Sequence, residues 1–167
     1  IGDSAFWECD SLTTIDLPDA LTTMGEYIFW DCVSLTEIEI PAGVTEIPRY
    51  AFYSCGALSE IRIPEGVATI GDIAFCLCES LASITLPDGI TSIGEGAFQL
   101  CSSLTSIVIP DNVTSIGNDA FYGCRSLTDV YYTGSESEWS KISVGSNNEY
   151  LTGANIHFGK QDIVYSD

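Results

Sequence analysis

The hydrophobic positions of this chain recur with a period of 23 residues. In each copy the sixth position is phenylalanine, the ninth cysteine and the twelfth leucine, and the first copy carries them as Phe6, Cys9 and Leu12. A column of one residue type means that every copy meets the same surroundings, which in a solenoid are the copies above and below it. The period therefore predicts a stack of coils. The copies follow one another without insertion or deletion and begin at Ile1, Met24, Ile47, Ile70, Ile93 and Ile116.

A short strand is predicted in each coil. The segment LTTIDLP places Ile15 and Leu17 on one face with Asp16 between them, which is the alternation of a half-buried strand. Stacked coils would join these segments into a parallel sheet along the molecule, and the proline that follows ends the ladder. The AFxxC segment separates phenylalanine and cysteine by three residues. This spacing predicts one helical turn per coil with both side chains on the same side.

Six of the seven cysteines are in phase with the phenylalanine and leucine columns. We therefore predict that they fill the core as small apolar groups. Parallel Cβ vectors along a column oppose disulfide formation, and a zinc site requires ligands that converge. Cys76 breaks the pattern two residues before Cys78 and is expected to face outward, either as a reactive thiol or as a drifted residue.

The unit IGDSAFWECDSLTTIDLPDALTT resembles the leucine-rich repeats of the BspA-like class, which occur in bacterial surface proteins. The resemblance covers residues 1–132 through the motif AF..C..L..I.LP..L...IG. It implies a leucine-rich-repeat solenoid of the α+β, horseshoe-like type. It also implies a protein that is secreted or attached to the cell wall and that presents an interaction surface.

The repeat period ends at residue 132. Residues 133–160 are predicted to form a C-terminal cap, because Trp139, Leu151 and other apolar residues can cover the last coil. This segment also resembles the closing segment of the same class. Residues 161–167 carry no repeat and are predicted to be a flexible tail. No matching cap precedes the first copy, so we expect either further repeats before it or an open edge that supports end-to-end self-association.

The charge of the chain is strongly unbalanced. It has 24 acidic residues against 5 basic ones, a formal net charge of -19. This balance argues against nucleic acid as a partner, since phosphate binding depends on Lys and Arg. It also argues against docking on anionic membrane surfaces, and no apolar run is long enough to predict membrane insertion. A cationic partner, or a role of the charge in solubility alone, remains open.

Catalytic chemistry is not indicated by the sequence. The only histidine, His157, lies in the predicted cap between two apolar residues, and no hydrolase, zinc-protease or phosphate-loop motif occurs. The carboxylates lie at outward repeat positions without a calcium-loop pattern. We therefore predict a protein that is not an enzyme and that needs neither a metal nor another cofactor.

Two outward surfaces are candidates for binding. The first is the strand face, where acidic character fades along the coils towards small neutral residues and then an aromatic one. This face is either a solvated surface with drifting residues or a graded groove for a basic segment of a partner. Its candidate binding residues are Glu37, Glu39, Glu60, Arg62 and Tyr131.

The second surface is an aromatic stripe, formed by the residues that follow phenylalanine in the first three copies. These are Trp7, Trp30 and Tyr53. Exposed aromatic stripes often mark contacts with sugars or proteins. The alternative is that they pack against the neighbouring Tyr27 and Tyr50.

The resemblance and the absence of catalytic motifs together favour an extracellular adhesion module of a bacterial surface protein. Its partner would be a host or neighbouring-cell protein or glycan. The alternative is a passive spacer array that holds another domain away from the cell wall. An enzyme of unknown type is a third hypothesis, which a non-repeating cleft of converging titratable groups would revive.

Overall fold

The computed structural model describes residues 1–160, which form a stack of coils with two short parallel sheets. Numbered in chain order, the strands that alternate around the coils are β1 (Glu37–Glu39), β2 (Glu46–Ile47), β3 (Glu60–Arg62), β4 (Thr69–Ile70), β5 (Ser83–Thr85), β6 (Ser92–Ile93), β7 (Ser106–Ile109), β8 (Ser115–Ile116), β9 (Asp129–Tyr132), β10 (Ser143–Val144) and β11 (Asn155–Phe158). Two one-turn helices, α1 (Glu136–Trp139) and α2 (Glu149–Thr152), lie between the last strands. The predicted leucine-rich-repeat solenoid is confirmed. The predicted tail at 161–167 lies outside the described residues.

The first sheet forms the strand face and is interrupted once. In chain order its strands are β1 and β3, which pair with each other, and then β5, β7, β9 and β11, which form a separate parallel ladder. Between β3 and β5 no ladder pairing forms, although both strands lie in adjacent coils. Ile61 and Ile63 are half-buried there, whereas the equivalent Ile84 and Leu86 of the next coil are 4% and 2% exposed. The interruption therefore leaves apolar surface on β3 partly uncovered.

The second sheet was not predicted by the sequence. Strands β2, β4, β6, β8 and β10 pair in parallel without interruption, and each is only two residues long. Ile70, for example, pairs with Ile47 on one side and Ile93 on the other. From the second coil onward the chain thus has strands on two sides of the stack, and the second ladder holds the coils together across the gap in the first. The first coil has no strand, so the strand predicted for its LTTIDLP segment is wrong; this coil has a neighbouring coil on one side in the structure.

The predicted helical turn between phenylalanine and cysteine is wrong in its local geometry. The segment is instead a run of tight turns with left-handed residues, such as Tyr27 at φ 58° and Asp31 at φ 57°. These turns let alternate N–H groups reach the next coil, as where Phe29 N donates to Ala51 O at 2.9 Å. The i to i+3 spacing survives because Cys32 N also donates to Phe29 O, at 3.3 Å. The hydrogen bonds between coils compensate for the unfavourable φ angles of these residues.

The core is a set of side-chain columns that run along the stack. The phenylalanine rings lie almost parallel, with centroids 5.3 Å apart between Phe52 and Phe75 and again between Phe75 and Phe98. The cysteine, leucine and isoleucine columns pack around them in one continuous cluster. In the first coil, however, Phe6, Cys9 and Leu12 are only half-buried, because they have a neighbouring coil on one side in the structure.

The C-terminal segment continues both sheets while abandoning the repeat. Strand β10 pairs with β8, and β11 pairs with β9. Helix α1 begins with a capping box in which the Ser135 side chain accepts from Glu138 N and the Glu138 carboxylate accepts from Ser135 N. Leu151 of α2 is fully buried against the last coil. The segment therefore supplies the contacts of another coil with a different sequence.

Candidate functional site

The strand face of the first three coils forms a groove of about 890 Å³. Glu37 and Glu39 point outward on either side of the buried Ile38, as the alternation of β1 requires. Glu60 and Arg62 occupy the same two positions on β3, opposite Glu37 and Glu39 respectively. The structure thus brings four of the five predicted strand-face residues together at one concave surface.

The charges in this groove are mostly negative and only partly paired. Arg62 Nε lies 3.4 Å from Glu60 Oε1, and the two side chains are 71% and 60% exposed. Such an exposed pair is weak, because water and salt screen it. Glu37 faces Glu60 directly across the strand pair, and like charges in that position repel. The groove therefore carries an unbalanced negative charge, as does the chain as a whole.

Tyr131 lies on the same face but outside the groove. It is on β9, three coils beyond Arg62, and its ring stacks on the His157 imidazole of the cap at a centroid distance of 4.7 Å. His157 Nε2 lies 2.7 Å from Asp129 Oδ1. The hydrogen bond with His157, and then that from Thr128, lower the pKa of the Asp129 carboxyl. These residues join the cap to the last coil, and the structure does not bring Tyr131 together with the acidic residues.

The aromatic stripe is a stack of rings whose faces cover one another. Trp30 lies between Trp7 and Tyr53, with centroid distances of 4.9 Å and 3.9 Å and nearly parallel planes. Tyr27 and Tyr50 form a second stack beside it at 4.9 Å, and both rings contact Trp30. A sugar ring binds an aromatic face, and the inner faces here are occupied. The stripe therefore packs on its tyrosine neighbours, with only Trp7, 41% exposed, presenting substantial surface.

Arginine adds to the aromatic stack at its inner end. The Arg49 guanidinium carbon lies 5.0 Å from the centroid of the Tyr50 ring, within the range of a cation–π contact. Such contacts stabilise stacked coils from outside the core. The five rings and this arginine form a second, external column parallel to the phenylalanine core.

Cys76 is buried, so its predicted outward exposure is wrong. Its side chain is 3% exposed, and its thiol lies 3.6 Å from Gln99 Oε1. Tyr53 and Gln99, the residues at the same repeat position in the coils on either side, are both larger. Burial raises the pKa of the Cys76 thiol to about 11, which keeps it protonated and weakly nucleophilic.

From the second coil onward the cysteine column is buried as predicted, and its thiols also form hydrogen bonds. Each Sγ after the first coil donates to the phenylalanine carbonyl of the preceding coil, as from Cys55 to Phe29 at 3.1 Å and from Cys101 to Phe75 at 3.1 Å. All seven cysteines are free thiols. Within residues 1–160 no group of three or more His, Cys, Asp or Glu side chains is arranged to hold a metal ion.

Asn148 is a structurally important residue that the sequence did not reveal. Its side chain is buried in the cap, and its Oδ1 accepts a hydrogen bond from Phe121 N at 3.0 Å. In the coil before, Phe98 N donates to the Ala120 carbonyl of the next coil. The asparagine amide therefore takes the place of the carbonyl that a further coil would provide. It lies outside the repeat, so no column could have marked it.

Comparison with protein families decides the affiliation of the chain. The model for the BspA type leucine-rich repeat region matches residues 1–128 in six copies. The chain belongs to this BspA-type family. No curated protein matches the chain.

Solved structures of related bacterial proteins share the fold of this BspA-type protein. A leucine-rich repeat protein from T. pallidum is 33% identical over 87% of this chain and 65% of its own, with a TM-score of 0.79. A leucine-rich cell surface protein from Faecalibacterium prausnitzii is 34% identical over 78% of this chain and 35% of its own, with a TM-score of 0.76. A leucine-rich repeat protein from Bacteroides ovatus is 28% identical over 96% of this chain and 43% of its own, with a TM-score of 0.72. This chain thus spans less than two thirds of each relative.

The family is one of bacterial surface proteins, and its repeats are consistent with a protein-interaction module. Among residues 1–160 there is no helix long and apolar enough to cross a lipid bilayer. The geometry described above offers one concave surface with a distinct charge and one external aromatic column. Of these two, the groove is concave and its charged side chains are exposed, whereas the inner ring faces of the aromatic column are covered by one another.

Proposed function

We propose that this protein is an extracellular adhesion module of a bacterial cell surface, which binds a protein of a host or neighbouring cell through its strand-face groove. The observation that carries the proposal is the groove itself, about 890 Å³ in volume and lined by Glu37, Glu39, Glu60 and Arg62. Family membership supports a role in protein interaction, and the F. prausnitzii relative is described as a cell surface protein.

The position of the groove supports this assignment over a role in stability. Its charged side chains point away from the core and are exposed, so they contribute little to folding. The same strand face in later coils carries Ser83, Thr85 and Val108 instead, without loss of the fold. The fold therefore does not require charged side chains at these positions; in the sixth coil Asp129 is again acidic there, but it is hydrogen-bonded to His157 of the cap.

The test is binding of the purified protein to an array of extracellular-matrix proteins and cell-surface glycans. The groove variant is Glu37→Gln/Glu39→Gln. Its matched control is Glu46→Gln/Glu79→Gln, which changes the net charge equally at exposed positions outside the groove. We expect a protein ligand whose binding is lost in the groove variant and kept in the control.

Other outcomes would contradict the proposal in distinct ways. Binding that survives in the groove variant but is lost in Trp7→Ala would move the site to the aromatic stripe. Binding to glycans alone would exclude a protein partner. If folded protein binds nothing on a broad array, the passive spacer becomes the better explanation.

A further inference from the structure

The groove contains more negative charge than its own residues neutralise. Its lining has a single basic side chain, Arg62, which is paired with Glu60. The carboxylates in the lining are Asp16, Asp19, Glu37, Glu39 and Glu60. Charge complementarity therefore favours an occupant with lysine or arginine side chains.

The arrangement of these carboxylates is unfavourable for the free protein. Glu37 and Glu60 are direct partners in the register of β1 and β3, where like charges destabilise a sheet. No basic residue separates them in this register. A cationic side chain placed between them would convert the repulsion into attraction. An occupant of positive charge would therefore make the most favourable electrostatic interactions in the groove.

The spacing of the carboxylates is that of an extended chain. Glu37 and Glu39 are separated by one residue on a strand, so their Cα atoms are about 6.6 Å apart. A segment lying along β1 in an extended conformation repeats its outward side chains at the same interval. Basic residues at alternate positions would therefore face Glu37 and Glu39 together.

In the row of repeat positions that contains Asp16 and Glu39, the acidic residues end at the third coil. Arg62 occupies the repeat position of Asp16 and Glu39, so it places a positive charge at the end of that row. Beside it, Ile63 and Pro64 are half-buried where the sheet is interrupted, and both line the groove. Cations are thus directed towards the first two coils, and apolar contact is available next to the third.

Building on the proposed function, we infer that the occupant of the groove is an extended segment of the partner protein with basic side chains at alternate positions. Asp16, Glu37 and Glu39 contact these side chains, and Arg62 limits how far the basic stretch extends. The groove therefore selects both the charge of the segment and the spacing of that charge.

The probes are three acetylated and amidated peptides: KSKSKSK, the block peptide KKKKSSS of the same composition, and ESESESE. We expect KSKSKSK to bind most tightly at low salt and ESESESE not to bind. Glu37→Gln/Glu39→Gln removes two exposed ion pairs with the peptide, so its affinity for KSKSKSK should fall about fivefold. Glu46→Gln/Glu79→Gln should change the affinity much less, and high salt should weaken binding by screening. Arg62→Gln should strengthen it.

A second measurement tests the charge argument without any ligand. Urea unfolding of Glu37→Gln should show a more stable protein than wild type, whereas Glu79→Gln should show no change. A Glu37→Gln variant that is less stable than wild type would overturn the idea that these carboxylates repel one another in the free protein.

Failure of this inference can be told from failure of the proposed function. Equal affinities for KSKSKSK and KKKKSSS would overturn the extended spacing, and equal affinities of the groove and control variants would overturn the site. A protein partner that needs Glu37 and Glu39 but is not displaced by KSKSKSK would refute the inference and leave the proposed function standing. Peptide binding together with a silent array would count against the proposed function instead.

Discussion

Truncation of a ring in the middle of the phenylalanine column tests the nearest-neighbour description of this fold. Phe75 is fully buried and stacks on Phe52 and Phe98 at 5.3 Å each. Replacing a buried phenylalanine by alanine costs about 3–5 kcal/mol. Two ring pairs of about 0.5–1.5 kcal/mol each place Phe75→Ala in the upper part of that range, at about 4–5 kcal/mol. A loss of this size is a large fraction of the stability of an ordinary domain.

The matched variant is Phe6→Ala in the first coil. Phe6 is half-buried and has one stacking partner, Phe29, at 5.1 Å. Phe6→Ala removes less buried apolar area and only one ring pair. Its loss of unfolding free energy should therefore be about half that of Phe75→Ala, on the order of 2 kcal/mol. The two variants therefore separate the contribution of stacking from that of phenylalanine as such.

The assay is equilibrium unfolding in urea, followed by circular dichroism and by tryptophan fluorescence. Coincident transitions by the two probes are needed before free energies are compared. A smaller m value for Phe75→Ala would show that the stack divides at the damaged coil. Loss of under about 1 kcal/mol for Phe75→Ala, or equal losses for both variants, would refute the assigned core and the nearest-neighbour reasoning.

Three further predictions concern single positions. Gly117→Ala should destabilise the protein by about 1–3 kcal/mol in urea unfolding, because the added Cβ would lie 2.5 Å from a backbone nitrogen of the preceding coil. The control Gly56→Ala should be neutral, since its Cβ would meet no atom within 4 Å. Thiol labelling of the native protein should modify the half-buried Cys9 first and leave Cys76 protected until unfolding; labelling of both at equal rates would contradict the burial of Cys76. Asn148→Ala should cost about 1–3 kcal/mol, since it leaves a buried phenylalanine N–H unpaired, and an unchanged urea midpoint would exclude the proposed role of this side chain.

The core could be predicted from the sequence because each coil has nearly the same neighbours. A column such as Phe52, Phe75 and Phe98 marks a shared environment, and the structure buries all three. The second sheet could not be predicted, since strands of two residues, such as Thr69–Ile70, are too short to show an alternation. The extra strand is visible only once neighbouring coils are in register.

The turn geometry and Cys76 were missed for different physical reasons. A three-residue spacing is shared by a helical turn and by the left-handed turns found here, and residues such as Tyr27 rarely adopt positive φ without compensation from neighbouring coils. Cys76 follows a buried phenylalanine and was expected outside for that reason. Its burial comes from the larger Tyr53 and Gln99 in adjacent coils, which the sequence of one coil cannot show.

The residue type is constant along the cysteine column but changes from coil to coil on the outward strand face. After the first coil, every thiol of this column donates to a phenylalanine carbonyl of the coil before, so a small buried donor suits each copy and cysteine recurs. Outward strand positions have no such requirement, and there the residue type changes from coil to coil. At such positions Glu37 lies opposite Glu60, where like charges are destabilising. If the proposed binding role of this surface is right, Glu37→Gln should stabilise the free protein and weaken its complex with a partner.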